Sequence, residues 1–195
     1  MSRRVFKQFY DLELDIKPMD EKLNVEVLCA DQLAPAHLAE IHALCNRAYD
    51  EDLGPLFQTF TNATHVIGWW DSAIVSHAMW VTRWLQPGDR SPLRAAYVEM
   101  VATEPQFQRR GFAAAVMREL ANAIRDYDLG GLCPAEPGLY RRLGWVFWQG
   151  PLFIRTPNGL LSTPEEQVMV LRLPKTPPLD LALPLSAEWR DGELW

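Results

Sequence analysis

Three cysteines and four histidines are the chain's whole supply of thiols and imidazoles, and neither set is spaced for use. Cys29, Cys45 and Cys133 are odd in number and show no paired spacing, which argues against a disulfide framework and fits reduced thiols in a cytoplasmic protein. His37, His42, His65 and His77 lack the spacing of metal ligands, so no metal is expected. Long apolar runs are missing too: nothing approaches a membrane span, and Ser2-Arg3-Arg4 opens into mixed charge rather than a signal peptide. The expectation is a cytoplasmic chain with no membrane partner. Basic charge is in deficit, 19 Lys and Arg against 25 Asp and Glu for a net charge of −6, which argues against a nucleic-acid face. The same deficit tilts toward a cationic partner, although acidity for solubility accounts for it equally well. Finally, neither Gly-x-Gly-x-x-Gly nor Gly-Lys-Ser/Thr occurs, so dinucleotide and nucleoside triphosphate sites are not indicated.

What is present is material for one buried core. The chain has 195 residues, 48% of them hydrophobic, with eight tryptophans, enough for one domain and short for two. Residues 1–22 mix charge and aromatics without period and read as an N-terminal extension. Residues 23–173 carry the domain pattern. Leu23 to Cys29 alternates as a strand, Pro35 to Tyr49 has helical spacing, and Thr64–Trp69 and Ala73–Trp84 read as a hairpin turning at Asp71-Ser72. Leu93 to Ala102 follows as a central strand. After a long helix closed by Asp128-Leu129-Gly130-Gly131 come a short strand at Leu132-Cys133, a short helix over Glu136–Leu143, and strands over Trp145–Ile154 and Val168–Leu173. From Pro174 prolines forbid a long helix, yet two of the last seven residues are tryptophan. Ordering such a tail costs entropy that only burial offsets, so residues 174–195 are expected to pack back onto the domain.

The most informative stretch is Tyr97–Ala114, YVEMVATEPQFQRRGFAA, in which a strand runs through a Gln-Arg-Arg-Gly turn into a helix. The first amides of a helix have no internal partner and carry partial positive charge, which suits a phosphate group. Gly111 leaves room for a ligand, and Arg109 and Arg110 supply charge. Val116, Met117, Leu120, Ala121 and Ile124 then mark one buried helical face.

The segment Gln108-Arg109-Arg110-Gly111-Phe112-Ala113 resembles the coenzyme A motif of the GNAT acetyltransferase superfamily. The resemblance implies a mixed α+β GNAT fold, a mainly antiparallel central sheet of about six to seven strands flanked by helices, with acetyl-CoA as cosubstrate. Three further stretches, YVEMVA, LYRRLGWVFWQGP with the following TPEE, and the terminal EWRDGELW, are similar to the aminoglycoside 2′-N-acetyltransferases, whose activity is a form of antibiotic resistance. That likeness covers the C-terminal half; the N-terminal half matches only in the order of its elements.

As the resemblance implies, an amine attacks the thioester directly in a ternary complex. Glu99 matches the base and Tyr140 the acid that assists the departing sulfur. Val101 and Thr103 match the backbone that holds the coenzyme arm, and Gln108, Arg109, Arg110, Gly111, Phe112 and Ala113 match its pyrophosphate turn. Carboxylates at Asp52, Glu165, Glu166 and Glu193, with Glu99 and the α-carboxylate of Trp195, suit a cationic small-molecule amine. Each role has a rival: Glu99 as an ion-pair partner of Arg94, Tyr140 as a core residue, Trp195 as a tail anchor. The acidic run after Thr163-Pro164 is shorter than the family's, which keeps other acceptors open: a polyamine, an amino sugar or a peptide N-terminus. A non-catalytic acyl-CoA-binding module is the reading from another class. Cys45 and Cys133 sit on apolar stretches and read as structural thiols. The many tryptophans are compatible with a homodimer.

Overall fold

A computed structural model of the chain describes residues 23–195, so the expected extension over residues 1–22 lies outside the described residues. Among the described residues ten strands form the sheet: β1 (Asn24–Cys29), β2 (Thr64–Trp70), β3 (Ala73–Pro87), β4 (Leu93–Thr103), β5 (Leu129–Leu132), β6 (Val146–Phe147), β7 (Leu152–Thr156), β8 (Gly159–Ser162), β9 (Met169–Arg172) and β10 (Leu185–Glu188). The helices are α1 (Pro35–Tyr49), α2 (Gly54–Phe57), α3 (Phe112–Ala123) and α4 (Gly138–Arg142). Pairing is antiparallel except between β4 and β5 and between β7 and β10.

Strand β3 organises the whole. Its 15 residues pair along one side with β4 and along the other first with β2 and then, at Gln86 and Pro87, with β10. Alternation along β4 feeds two cores. Ala95 and Tyr97 join α1 residues Ile41 and Leu44 on one face, and Ala96 and Val98 join α3 residues Val116, Met117 and Leu120 on the other. The tail closes the α1 face. Strand β10 inserts between β3 and β7, and Trp195 is buried in the same core.

The sheet is wider than six or seven strands for local reasons. The Trp145–Ile154 stretch divides into β6 and β7 because Gly150 lies against the returning tail, where an added Cβ would fall 2.0 Å from the Leu183 carbonyl oxygen. Gly130-Gly131 belongs to a strand rather than a helix end: α3 stops at Ala123, and Gly131 lies so close to the Tyr97 ring that a Cβ would fall 2.9 Å from it. Small residues there mark a close approach of strand to side chain. Helix α4 is shorter than the expected Glu136–Leu143, running only over Gly138–Arg142 behind Pro137.

Strands β4 and β5 touch only briefly. Ala95, Ala96 and Tyr97 pair with Leu129, Gly130 and Gly131, and from Val98 to Thr103 no β5 residue lies opposite. The two strands therefore part beside Glu99, leaving a stretch of β4 edge open where an extended ligand can pair with it.

Candidate active site

A bulge in β4 sets the site. His77 pairs with Ala102 and Met79 with Glu99, so Met100 and Val101 stand against a single residue of β3, and Met100 takes a φ of 53°. The extra residue inverts the alternation. Tyr97 and Met100, three apart, face the same α1-side core, while Val101 packs toward the α3 side.

Behind the bulge stands a buried histidine pair. His77 Nδ1 lies 3.0 Å from the Met100 carbonyl, and His77 Nε2 lies 3.0 Å from His65 Nδ1. A carbonyl only accepts, so Nδ1 of a neutral His77 carries the hydrogen, its Nε2 accepts, and His65 Nδ1 donates. Burial pushes His77 down to about 3 and His65 down to about 4, which keeps both neutral. The polar chain His65–His77–Met100 pins the bulge from within the core.

Glu99 sits in front of it, and its carboxyl is shaped by opposing influences. Burial pushes the pKa up to about 7, against the pull of Arg190, which donates to Oε1 at 2.6 Å. The ion-pair partner is thus Arg190 of the tail and not Arg94, whose guanidinium lies 4.1 Å from the Tyr127 ring. Arg190 was invisible as a site residue in the sequence, although it lies in the terminal EWRDGELW motif. Arg83, only 1% exposed, donates to the Glu188 and Leu194 carbonyls at 2.7 Å each and so fastens the tail on both sides of Arg190.

Tyr140 projects from α4 as a half-buried ring edge-on to Trp145, and burial pushes its hydroxyl up to about 12. Tyr49, at the end of α1, has its pKa raised chiefly by burial, with smaller upward effects of Tyr140, Cys45 and Glu99. Tyr49 also donates to the Val101 carbonyl at 3.1 Å. Only the fold brings Tyr49 here, 52 positions from Val101.

The turn before α3 is bare at its centre. Gly111, with φ 86°, caps α3 without any side-chain hydrogen bond, and an added Cβ there would meet nothing within 4 Å. The first amides of the helix, at Phe112 and Ala113, lie at this end and lack an intrahelical partner, which fits an anion. Around this centre side chains stiffen the loop. Gln108 donates to the Thr103 carbonyl at 3.3 Å, the Thr103 hydroxyl lies 2.9 Å from that of Ser76, and Arg109 takes a left-handed φ of 62°. Arg110 rests against Trp70, Phe107 and Phe112 with its guanidinium carbon 5.2, 5.3 and 5.4 Å from their ring centres.

The remaining carboxylates are placed less uniformly. Asp52 Oδ1 accepts the Gly54 amide at 3.0 Å and so serves the start of α2. Glu165 and Glu166 are exposed in the turn after Thr163; Glu166 accepts from the Cys133 thiol at 3.4 Å. Glu193 is exposed, its carbonyl accepting from Arg190 Nε. Trp195 is 3% exposed and donates through its indole N–H to the Thr163 hydroxyl at 2.8 Å, which ties the tail to the Glu165-Glu166 turn.

Cys45 and Cys133 are poorly suited as nucleophiles here. Burial pushes Cys45 up to about 12; burial, with Glu166 and Glu193 nearby, pushes Cys133 up to about 11. Cys45 Sγ does lie 3.8 Å from His77 Nδ1, but that nitrogen's hydrogen is committed to Met100. Among the described residues no group of three or more His, Cys, Asp or Glu is placed to hold a metal ion. None of the described helices is long and apolar enough to cross a membrane.

A family model described as "Acetyltransferase (GNAT) domain" matches residues 31–147. Over 130 residues the chain is 36% identical to an aminoglycoside 2′-N-acetyltransferase of Mycolicibacterium fortuitum, covering 63% of this chain and 66% of that relative. The match thus spans just under two thirds of the relative's length. Among solved structures, the GNAT family N-acetyltransferase YhbS of Escherichia coli, in complex with CoA, aligns over 87% of this chain and 90% of its own, with a TM-score of 0.61 at 16% identity. Eis1 of Mycobacterium abscessus aligns over 67% of this chain and 32% of its own, with a TM-score of 0.56 at 19% identity.

Proposed function

The chain belongs to the GNAT acetyltransferases, and we propose that it is an acetyl-CoA-dependent N-acetyltransferase whose acceptor is a cationic amine, an aminoglycoside 2′-amino group above all. One observation carries the reading: a largely buried carboxylate with a pKa of about 7, Glu99, stands where β4 and β5 part, on the strand that ends at Thr103 and continues through residues 104–111 to the amino end of α3. The aminoglycoside acceptor is supported by the relative's named activity. The CoA seen with the structural neighbour supports the cosubstrate.

Acetyl-CoA supplies the activated acyl group. The α3 amides, with Arg109 alongside, hold its pyrophosphate, and the open edge of β4 at Val101 and Thr103 holds the extended arm. Glu99, about half ionised near neutral pH, takes a proton from the acceptor's ammonium and leaves a nucleophilic amine. Tyr140 stays protonated, because burial raises its pKa, and donates a hydrogen bond to the sulfur as negative charge develops there. Its pKa lies well above that of an ordinary thiol, so Tyr140 acts by stabilising the charge more than by giving up the proton outright.

Acetyl-CoA turnover followed by thiol release tests this, with 2′-amino aminoglycosides, 2′-hydroxy aminoglycosides and simple polyamines as acceptors. Turnover confined to the 2′-amino compounds is the expected result. Coenzyme binding without turnover on any aminoglycoside moves the acceptor to another amine.

A further inference from the structure

Glu99 is already paired. A guanidinium from the far end of the chain donates to it at 2.6 Å, and the pair is nearly dry, the side chains 16% and 13% exposed. The guanidinium carbon of Arg190 also lies 5.5 Å from the Phe60 ring and 5.6 Å from the Tyr97 ring, and Arg190 Nε donates to the Glu193 carbonyl. A carboxylate, two aromatic rings and a carbonyl are what proteins use to hold an organic cation. The site is a complete cation seat whose tenant is the protein's own side chain. Beside it the Tyr97 hydroxyl is buried without a hydrogen-bond partner, an unmet group of the kind that a ligand's polar atom satisfies.

On the N-acetyltransferase reading a second cation must reach the same carboxylate. Two unit cations within about 4 Å of each other repel, and more strongly where water is excluded. We propose that Arg190 is a built-in pseudo-acceptor: it fills the ammonium subsite formed by Glu99, Tyr97 and Phe60, and an alkylammonium acceptor binds by displacing it. The proposal rests on that reading for the identity of the acceptor.

The tail is built for such an exchange. Arg83 holds the Glu188 and Leu194 carbonyls, so the loop between them can move Arg190 without detaching β10 or Trp195. Displacement also selects. A monoamine trades one ion pair for another, while a polyamine adds contacts with the exposed carboxylates of Asp191 and Glu193 that flank Arg190. The plug thus favours acceptors of high positive charge.

Calorimetric titration tests the idea, using a 2′-amino aminoglycoside, spermidine and n-butylamine against wild type, Arg190→Gln and Arg190→Lys at saturating CoA. Removing a plug that fills the seat most of the time is expected to tighten binding of all three amines about fivefold or more in Arg190→Gln. Arg190→Lys keeps a cation in the seat and is expected to stay within about twofold of wild type, and CoA affinity is expected to be the same in all three. Arg190→Met, which keeps the apolar stem, carries the same expectation as Arg190→Gln should the glutamine variant fold poorly. Equal or weaker amine binding by the neutral variants overturns the proposal and leaves the amine reading standing. No amine bound by any of the proteins overturns both.

Discussion

Gln108–Ala113, the turn proposed for the coenzyme, is one contiguous stretch whose working groups are backbone amides, whereas the surroundings of Glu99 are side chains drawn from Phe60, Tyr97, Tyr49 and Arg190. The first region is exposed and open at Gly111; the second is buried and already neutralised by an ion pair. Backbone amides cannot be mutated away and do not titrate, so the turn is tolerant of side-chain change. Side chains lose their charge with pH and with substitution, so the Glu99 region is where chemistry and selectivity are vulnerable.

The sharpest way to test that contrast is to remove the base. Glu99→Gln is expected to lower kcat/KM by about 10²–10⁴-fold while acetyl-CoA affinity, measured by calorimetry, stays near wild type. Tyr140→Phe removes one hydrogen bond to a developing charge, worth about 1.5–3 kcal/mol, and is expected to lower kcat by about 10–100-fold. A fall in coenzyme affinity equal to the fall in turnover for either variant would erase the division between the two regions.

A smaller effect is expected behind the bulge. His77→Leu strands the Met100 carbonyl, costing about 1–3 kcal/mol of stability, and lets Glu99 shift enough to reduce kcat by about tenfold. His77→Asn keeps a donor near the Nδ1 position and is expected to recover most of both. Denaturant melts and steady-state kinetics on the two variants read this; equal losses in both would remove the hydrogen bond from the explanation.

The smallest effect belongs to the turn. Arg109→Ala takes away one exposed charge, worth about 0.2–1 kcal/mol, so acetyl-CoA affinity is expected to weaken by no more than about fivefold with kcat unchanged. A loss of a hundredfold would mean that side-chain charge, and not the amino end of α3, holds the pyrophosphate.

The same contrast governs what could be read from the sequence. The strand, turn and helix over Tyr97–Ala114 are local: alternation, a glycine at the cap and helical spacing announce them without reference to the rest of the chain. Glu99 was legible because it lies inside that stretch. Arg190, Tyr49, Phe60 and the His65–His77 pair were not, since each acquires its role from a partner at least 12 residues away. The two terminal tryptophans marked the tail as worth burying, yet only Trp195 is buried and Trp189 stays 53% exposed, and nothing local says that the arginine between them meets Glu99. Gly130-Gly131 misled for the opposite reason: a glycine pair signals a turn locally, while here it makes room for the Tyr97 ring.

The most direct measurement is the pH dependence of kcat/KM for wild type and Glu99→Gln at saturating acetyl-CoA. Glu99, raised to about 7 chiefly by burial, loses its proton as pH rises through that value, so wild-type kcat/KM is expected to climb along an acid limb centred near pH 7. The limb is expected to vanish in Glu99→Gln, leaving only the titration of the amine itself. An unchanged limb near pH 7 in the variant would show that another group accepts the proton, and would contradict the account.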